Sequence, residues 1–274
     1  LEISHPFFPL FFQKFRYFVK LYAIIFISVI FMSLVVAFNL DDYAILATDK
    51  RGVLNYIDEN KENHVLSTDD TYQKLRKIPF GFFASAGDYL ITECFYAECM
   101  AQTALKRNLD QILEDTYYRY CNLKGICHFG EMTTILLIAK RFDLNGKTTK
   151  DAILEINIEF QSIKTQEVAP MNLVALMAKM NPDQNFWDKM GSYLRSSHDF
   201  KNFEEFFSYH FYLIKHIWLE QLKFDDLISH HIDFYFHDRR TSKGILLSAE
   251  EFKILPPELI RQFTIQTERV STSD

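Results

Sequence analysis

The chain has 274 residues and a mass of 32.4 kDa, with 24% charged and 48% hydrophobic positions and a formal net charge of −6, enough for one substantial core. Eight Gly and seven Pro exclude collagen-like, linker-rich and disordered classes, and a pI near 5.9 offers no overall charge for nucleic acid. Of the 27 Phe, eight fall in the first 31 residues.

That opening carries Lys14, Arg16 and Lys20, then a charge-free run over 21–38, then Asp41 and Asp42. Basic flank, apolar span and acidic far side are the pattern of a signal-anchor helix. No small-x-small site precedes Asp41, which argues against a cleaved signal peptide. The first Met is Met32, and Phe/Ile/Leu/Tyr/Lys-rich text before it has the composition of AT-rich DNA translated upstream of a start. Residues 1–31 are thus expected to be a leader, a membrane anchor or an upstream translation artefact, and 32–274 a single domain.

From Met32 the texture changes. Residues 33–39 (SLVVAFN) and 43–49 (YAILATD) are two β-rich runs around Leu40-Asp41-Asp42, a hairpin signal. The polar segment 52–73 reads as a long exposed loop or ribbon tip. An apolar strand over 78–86 ends in Gly87, and Asp88 caps a helix over 89–107. A second helix is expected over 109–120, then strands over 133–142, 152–160 and 168–177. Asn181-Pro182-Asp183 starts a helix to about 194. A longer helix with an apolar face follows over 203–224, its Phe/Tyr run packed rather than forming a ligand cage. A strand over 232–236 closes the series. Strands grouped around helix pairs predict a layered α+β architecture, not a βαβ repeat.

The cysteines at 94, 99, 121 and 127 make no paired metal spacing. Cys121, Cys127 and His128 could supply three ligands, but reduced, partly buried thiols are the expectation. His230, His231 and His237 read as ordinary polar positions, since six residues of strand separate His231 from His237 by about 20 Å.

With Met32 as initiator and its removal, Ser33 becomes a free N-terminus. Such a residue holds a nucleophile and a base together, its α-amine titrating near 7.7–8.0 in the absence of perturbation. A cation must keep that amine neutral, a carboxylate must orient the cation, and a backbone N–H must hold the oxyanion. Counting Ser33 as one, Asp49 is the seventeenth residue, at the end of the second hairpin strand. Lys74 precedes the strand over 78–86, and Gly87 ends it. Asp226 and Ser229 sit between the last long helix and the strand over 232–236.

The segment MSLVVAFNLDDYAILATD, at 32–49, resembles the start of the proteasome β-type N-terminal-nucleophile hydrolases, the bacterial proteasome-like peptidase included. Lys74-Leu-Arg-Lys-Ile78 followed by PFGFFASAGD is similar to that family's catalytic Lys, strand and Gly-containing loop. Asp226-x-x-Ser229 resembles its second Asp/Ser pair. The resemblance implies a four-layer αββα sandwich over nearly all of 32–240. It implies Ser33 as nucleophile, Asp49 and Lys74 as its supporting pair, Gly87 as oxyanion donor, and Asp226 with Ser229 as a second support. It further implies cleavage of peptide or amide bonds without metal or organic cofactor, a homo-oligomer built as a ring or face-to-face pair, and a cytoplasmic location. The chain differs from the family in three respects. Its N-terminal residue is Ser rather than Thr, the Asp49–Lys74 gap of 25 residues is longer, and no Gly-Ser-Gly turn occurs near 175–185. Two other readings stand beside the enzyme: a catalytically silent assembly module of the same fold, and a protein anchored in a membrane through residues 21–38 with a soluble α+β domain.

Overall fold

The computed structural model describes residues 26–28, 30–31, 34–57, 63–105, 107–124, 133–139, 151–159, 162–176 and 181–250. In chain order the strands and helices begin with β1 (Phe26–Ser28), β2 (Ile30–Phe31), β3 (Val35–Asn39) and β4 (Tyr43–Asp49). They continue with β5 (Gly52–Ile57), β6 (Asn63–Asp69), β7 (Arg76–Ile78) and β8 (Gly81–Asp88). Helices α1 (Tyr89–Leu105) and α2 (Leu109–Lys124) follow, then β9 (Thr133–Ala139), β10 (Ala152–Glu159), β11 (Ser162–Glu167) and β12 (Asn172–Leu176). Helices α3 (Gln184–Ser192) and α4 (Phe203–Gln221) precede β13 (His231–Asp238) and β14 (Lys243–Glu250). The protein is mixed α+β, with three antiparallel sheets and four α-helices among the described residues.

The β3–β4 hairpin forms where the two β-rich runs place it, with Asn39 opposite Ala44 and Val35 opposite Thr48. Every residue of both strands is buried, which is why they read as continuous apolar runs rather than alternating ones. Their sheet has the order β12-β3-β4-β13-β14, so β4 lies between the hairpin partner and a strand nearly 200 residues downstream. Arg239, just after β13, closes the hairpin turn. Its guanidinium donates to the carbonyls of Leu40, Asp41 and Tyr43 and to Asn39 Oδ1.

A second sheet runs β11-β10-β9-β8-β2, with β7 also paired to β8. The two sheets share one apolar cluster. Val35, Ala37, Ala44, Leu46 and Tyr235 come from the first, and Ala84, Leu136, Ile138 and Ile153 from the second. The other side of the first sheet packs Phe38, Ile45 and Phe236 against Trp187, Phe206, Phe211 and Trp218 of α3 and α4. The other side of the second packs Phe83, Leu137 and Ile156 against Phe95, Cys99, Ile112 and Leu113 of α1 and α2. Buried positions on α4 fall at 206, 207, 210, 211, 213, 214, 217, 218 and 221, a broad apolar stripe of the kind a helix needs to cover a sheet. Asp183 caps α3 by accepting from the Asn185 amide at 3.0 Å, as the Asn-Pro-Asp start predicts.

Several elements depart from the sequence reading. Within 52–73, read as an exposed loop or ribbon tip, β5 and β6 pair with a register shift at Leu54/Asn55, in a third sheet of order β1-β5-β6. The strand expected over 168–177 begins only at Asn172, because Met171 turns the chain with φ 54°. Strands β11 and β14 were not anticipated; β11 is a polar, largely exposed strand held to β10 by backbone pairing. Within the apolar run 21–38, residues 26–28, 30–31 and 35–38 are strand. Among the described residues no helix is long and apolar enough to cross a membrane.

Candidate active site

Asp49 ends β4 with no exposed surface, and both carboxylate oxygens are fully engaged. Oδ1 accepts from Lys74 Nζ at 2.6 Å and from the Leu34 amide at 3.1 Å. Oδ2 accepts from the amides of Arg51 at 3.0 Å and Ser229 at 3.2 Å. Four donors thus converge on one carboxylate, from the entry to β3, the β4–β5 turn, the loop before β7 and the turn before β13. The backbone repeats the connection, since the Asp49 amide donates to Leu34 O at 3.1 Å and the Lys50 amide to His231 O at 3.2 Å.

Burial dominates the electrostatics of the pair. It pushes Asp49 above the ordinary carboxylate range, opposed by Lys74 and by the two amides on Oδ2. It pulls Lys74 below the ordinary ammonium range, opposed by Asp49. A lysine held this way has a depressed proton affinity and a fixed position, the two properties a proton-handling group needs.

Ser229 is buried and brings three groups to bear. Its amide reaches Asp49, its Oγ accepts from the His231 amide at 3.0 Å, and its carbonyl accepts from Trp218 Nε1 at 3.0 Å. Asp226 is exposed, and only its carbonyl enters the cluster, accepting from Arg51 Nη1 at 3.0 Å. The buried carboxylate of that turn is Asp225. Its Oδ1 accepts from the Leu227 amide at 3.0 Å, while its Oδ2 has no hydrogen-bond partner among the described residues.

Gly87 lies at the far end of β8 from the β7–β8 turn and has φ 126°, a conformation that strains any residue with a Cβ. Phe31 of β2 stands opposite it, and Ile30 opposite Asp88. Asp88 then opens α1, accepting from the Leu90 amide at 2.7 Å and from Tyr120 Oη at 3.0 Å. Ser33 lies outside the described residues. So do Cys127 and His128, and among the described residues no three His, Cys, Asp or Glu side chains are grouped for a metal ion. Cys94 and Cys99 are buried and free, with burial pushing the Cys94 thiol up to about 11.

The structure therefore brings Asp49, Lys74 and Ser229 together, and leaves the Asp226 carboxylate outside. It adds Arg51, which no motif in the sequence marks. Arg51 grips Asp70 with two bonds, Nε at 2.5 Å and Nη2 at 2.8 Å, while its amide and Nη1 tie β4 to the 225–229 turn. The signal for it in the sequence is a Lys-Arg pair directly after Asp49 and an acidic pair, Asp69-Asp70, late in a polar run. No protein-family model matches the chain, and no curated protein matches it in sequence.

Proposed function

We propose that the chain is a hydrolase of the N-terminal-nucleophile type, cleaving peptide or amide bonds with Ser33 as nucleophile once the residues before it are removed. A four-layer αββα sandwich belongs to this reading. Its support is the succession of three apolar clusters, one between the sheets and one beneath each helix pair.

The observation that carries the proposal is the closed shell around Asp49. A buried carboxylate receives a buried lysine at 2.6 Å and, at 3.1 Å, the amide of Leu34, which is one peptide bond from Ser33. In this scheme Ser33 Oγ attacks the carbonyl carbon and the Ser33 amine takes its proton. Lys74, oriented by Asp49, keeps that amine neutral by its charge, and Ser229 holds Asp49 in place. The Gly87 amide donates to the oxyanion. The amine then returns the proton to the leaving nitrogen, and water releases the seryl ester. The strand end at Gly87 and Asp88, where residues 30–31 now pair, suits an extended substrate chain added as a further strand. A homo-oligomeric assembly in the cytoplasm is part of the same proposal.

Intact-mass analysis and N-terminal sequencing of protein made in its own host test it first. A chain beginning at Ser33 is expected, and a retained segment before Ser33 sinks the enzyme. A β-lactone probe should then label the wild type and leave Ser33→Ala unlabelled. The absence of a Gly-Ser-Gly turn near 175–185 favours a second reading, a silent assembly module of the same fold. A Ser33 terminus without labelling would select it.

A further inference from the structure

At the opposite end of the strands from Gly87, the space between the two sheets opens into a cavity of about 570 Å³, within the size range of sites for small organic molecules. Its walls are Ile78, Phe80, Phe82, Ile138 and Ile245, and Tyr235 and His237 also line it. Register places His237 opposite Ala44 and Gly244, at the far end of β4 from Asp49.

Two features give the cavity a chemical sense. Inside, Tyr235 Oη lies 3.0 Å from His237 Nδ1, and His237 Nε2 lies 2.5 Å from Asp151 Oδ2, all three side chains being buried. Burial pulls His237 toward its neutral form, so Nε2–H donates to Asp151 and Nδ1 accepts the phenol proton. The Tyr235 oxygen is left as an acceptor. The phenol lies against Gly244, where a Cβ would fall 2.6 Å from Tyr235 Cε2, and Phe82 stacks on its ring at 3.7 Å. At the mouth the charges are unbalanced. Lys77 and Lys243 line the cavity and are exposed, while the carboxylate of Asp238, also in the lining, is already held by Arg240.

We propose that this cavity is a binding site for a small aromatic carboxylate that carries a ring N–H or O–H. The ring would pack between Phe82, Ile138 and Ile245, the donor would reach Tyr235 Oη, and the carboxylate would meet Lys77 and Lys243. It is separate from the Asp49–Lys74 cluster and does not depend on hydrolysis.

Isothermal titration of the full chain with three compounds tests it. Indole-3-acetate carries both polar groups, 3-methylindole lacks the carboxylate, and 1-naphthaleneacetate lacks the donor. The wild type should bind indole-3-acetate saturably at one site. The surface double variant Lys77→Gln/Lys243→Gln should weaken indole-3-acetate about tenfold and leave 3-methylindole unchanged. Tyr235→Phe should weaken indole-3-acetate about fivefold and leave 1-naphthaleneacetate unchanged. Absence of saturable binding overturns the site. Lysine variants that bind indole-3-acetate like the wild type overturn the carboxylate, and a wild-type-like Tyr235→Phe overturns the donor.

Discussion

Lys74 Nζ and Asp49 Oδ1 are 2.6 Å apart, with side-chain exposures of 1% and 0%. Asp49 meets that ammonium and three backbone amides as well. Removing Lys74 leaves a buried carboxylate without its counter-charge, a loss of about 3–5 kcal/mol.

Lys74→Met should therefore cost about 3 kcal/mol in urea unfolding, because the carboxylate keeps its three amides. Asp49→Ala should cost more, about 5 kcal/mol, since it takes the carboxylate from Lys74 and leaves those three amides without their acceptor. Equal losses in the two variants would mean that the amides contribute nothing to holding the cluster.

Glycines 87 and 191 should respond in opposite ways to alanine. At Gly87 the φ of 126° puts an added Cβ in strain, and Gly87→Ala should lower stability by about 1–3 kcal/mol. Gly191, inside α3, has nothing within 4 Å of an added Cβ. Gly191→Ala should raise stability by about 0.5–1 kcal/mol. Denaturant midpoints of the two variants, at unchanged slope, decide both.

His210 should make the protein sensitive to mild acid. It is fully buried among Phe38, Phe200 and Phe206, with Nδ1 2.9 Å from Phe206 O and Nε2 accepting from the Arg195 amide at 3.4 Å. Both contacts suit a neutral ring, and burial pulls its pKa down to about 4. The folded value lies below the unfolded one, so stability is complete above about pH 6.5 and falls as acid protonates the unfolded chain first. The loss should total about 3 kcal/mol by pH 4. Unfolding curves at steps from pH 7 to 4 should show this slope in the wild type and a flatter one in His210→Gln. Parallel slopes would refute the assignment.

Gly244→Ala should disturb the cavity end of β13. A Cβ there overlaps the ring of Tyr235, and overpacking of this kind costs about 1–3 kcal/mol. Tyr235→Ala should cancel most of that added cost in a double-mutant cycle of unfolding free energies. Additive losses would place the strain elsewhere.

The hairpin of β3 and β4 and the four helices were legible because their residues bury whole strands or clear helical stripes. The missed strands lie at edges. The sequence of β11, Ser-Ile-Lys-Thr-Gln-Glu, faces solvent and is strand only because β10 offers it a backbone ladder. Asp49 and Lys74 stood out by position and by the family resemblance. Arg51 and Asp70 could not, because a charged pair 19 residues apart looks like any solvated surface until β5 and β6 fold it together. Asp225 and Asp226 show the finest limit. Adjacent carboxylates in one turn differ in burial, Asp225 buried and Asp226 exposed, a difference that no spacing encodes.

The placement of β4 between β3 and β13 also sets an order of events during synthesis. Asp49 waits for Ser229, 180 residues later, and until β13 arrives β4 presents an open apolar edge. At about 5–20 residues per second, that edge stays uncovered for roughly 10–40 s on the ribosome. The β3–β4 hairpin is thus an aggregation hazard in a nascent chain, and a chaperone that shields β4 during synthesis would raise yield.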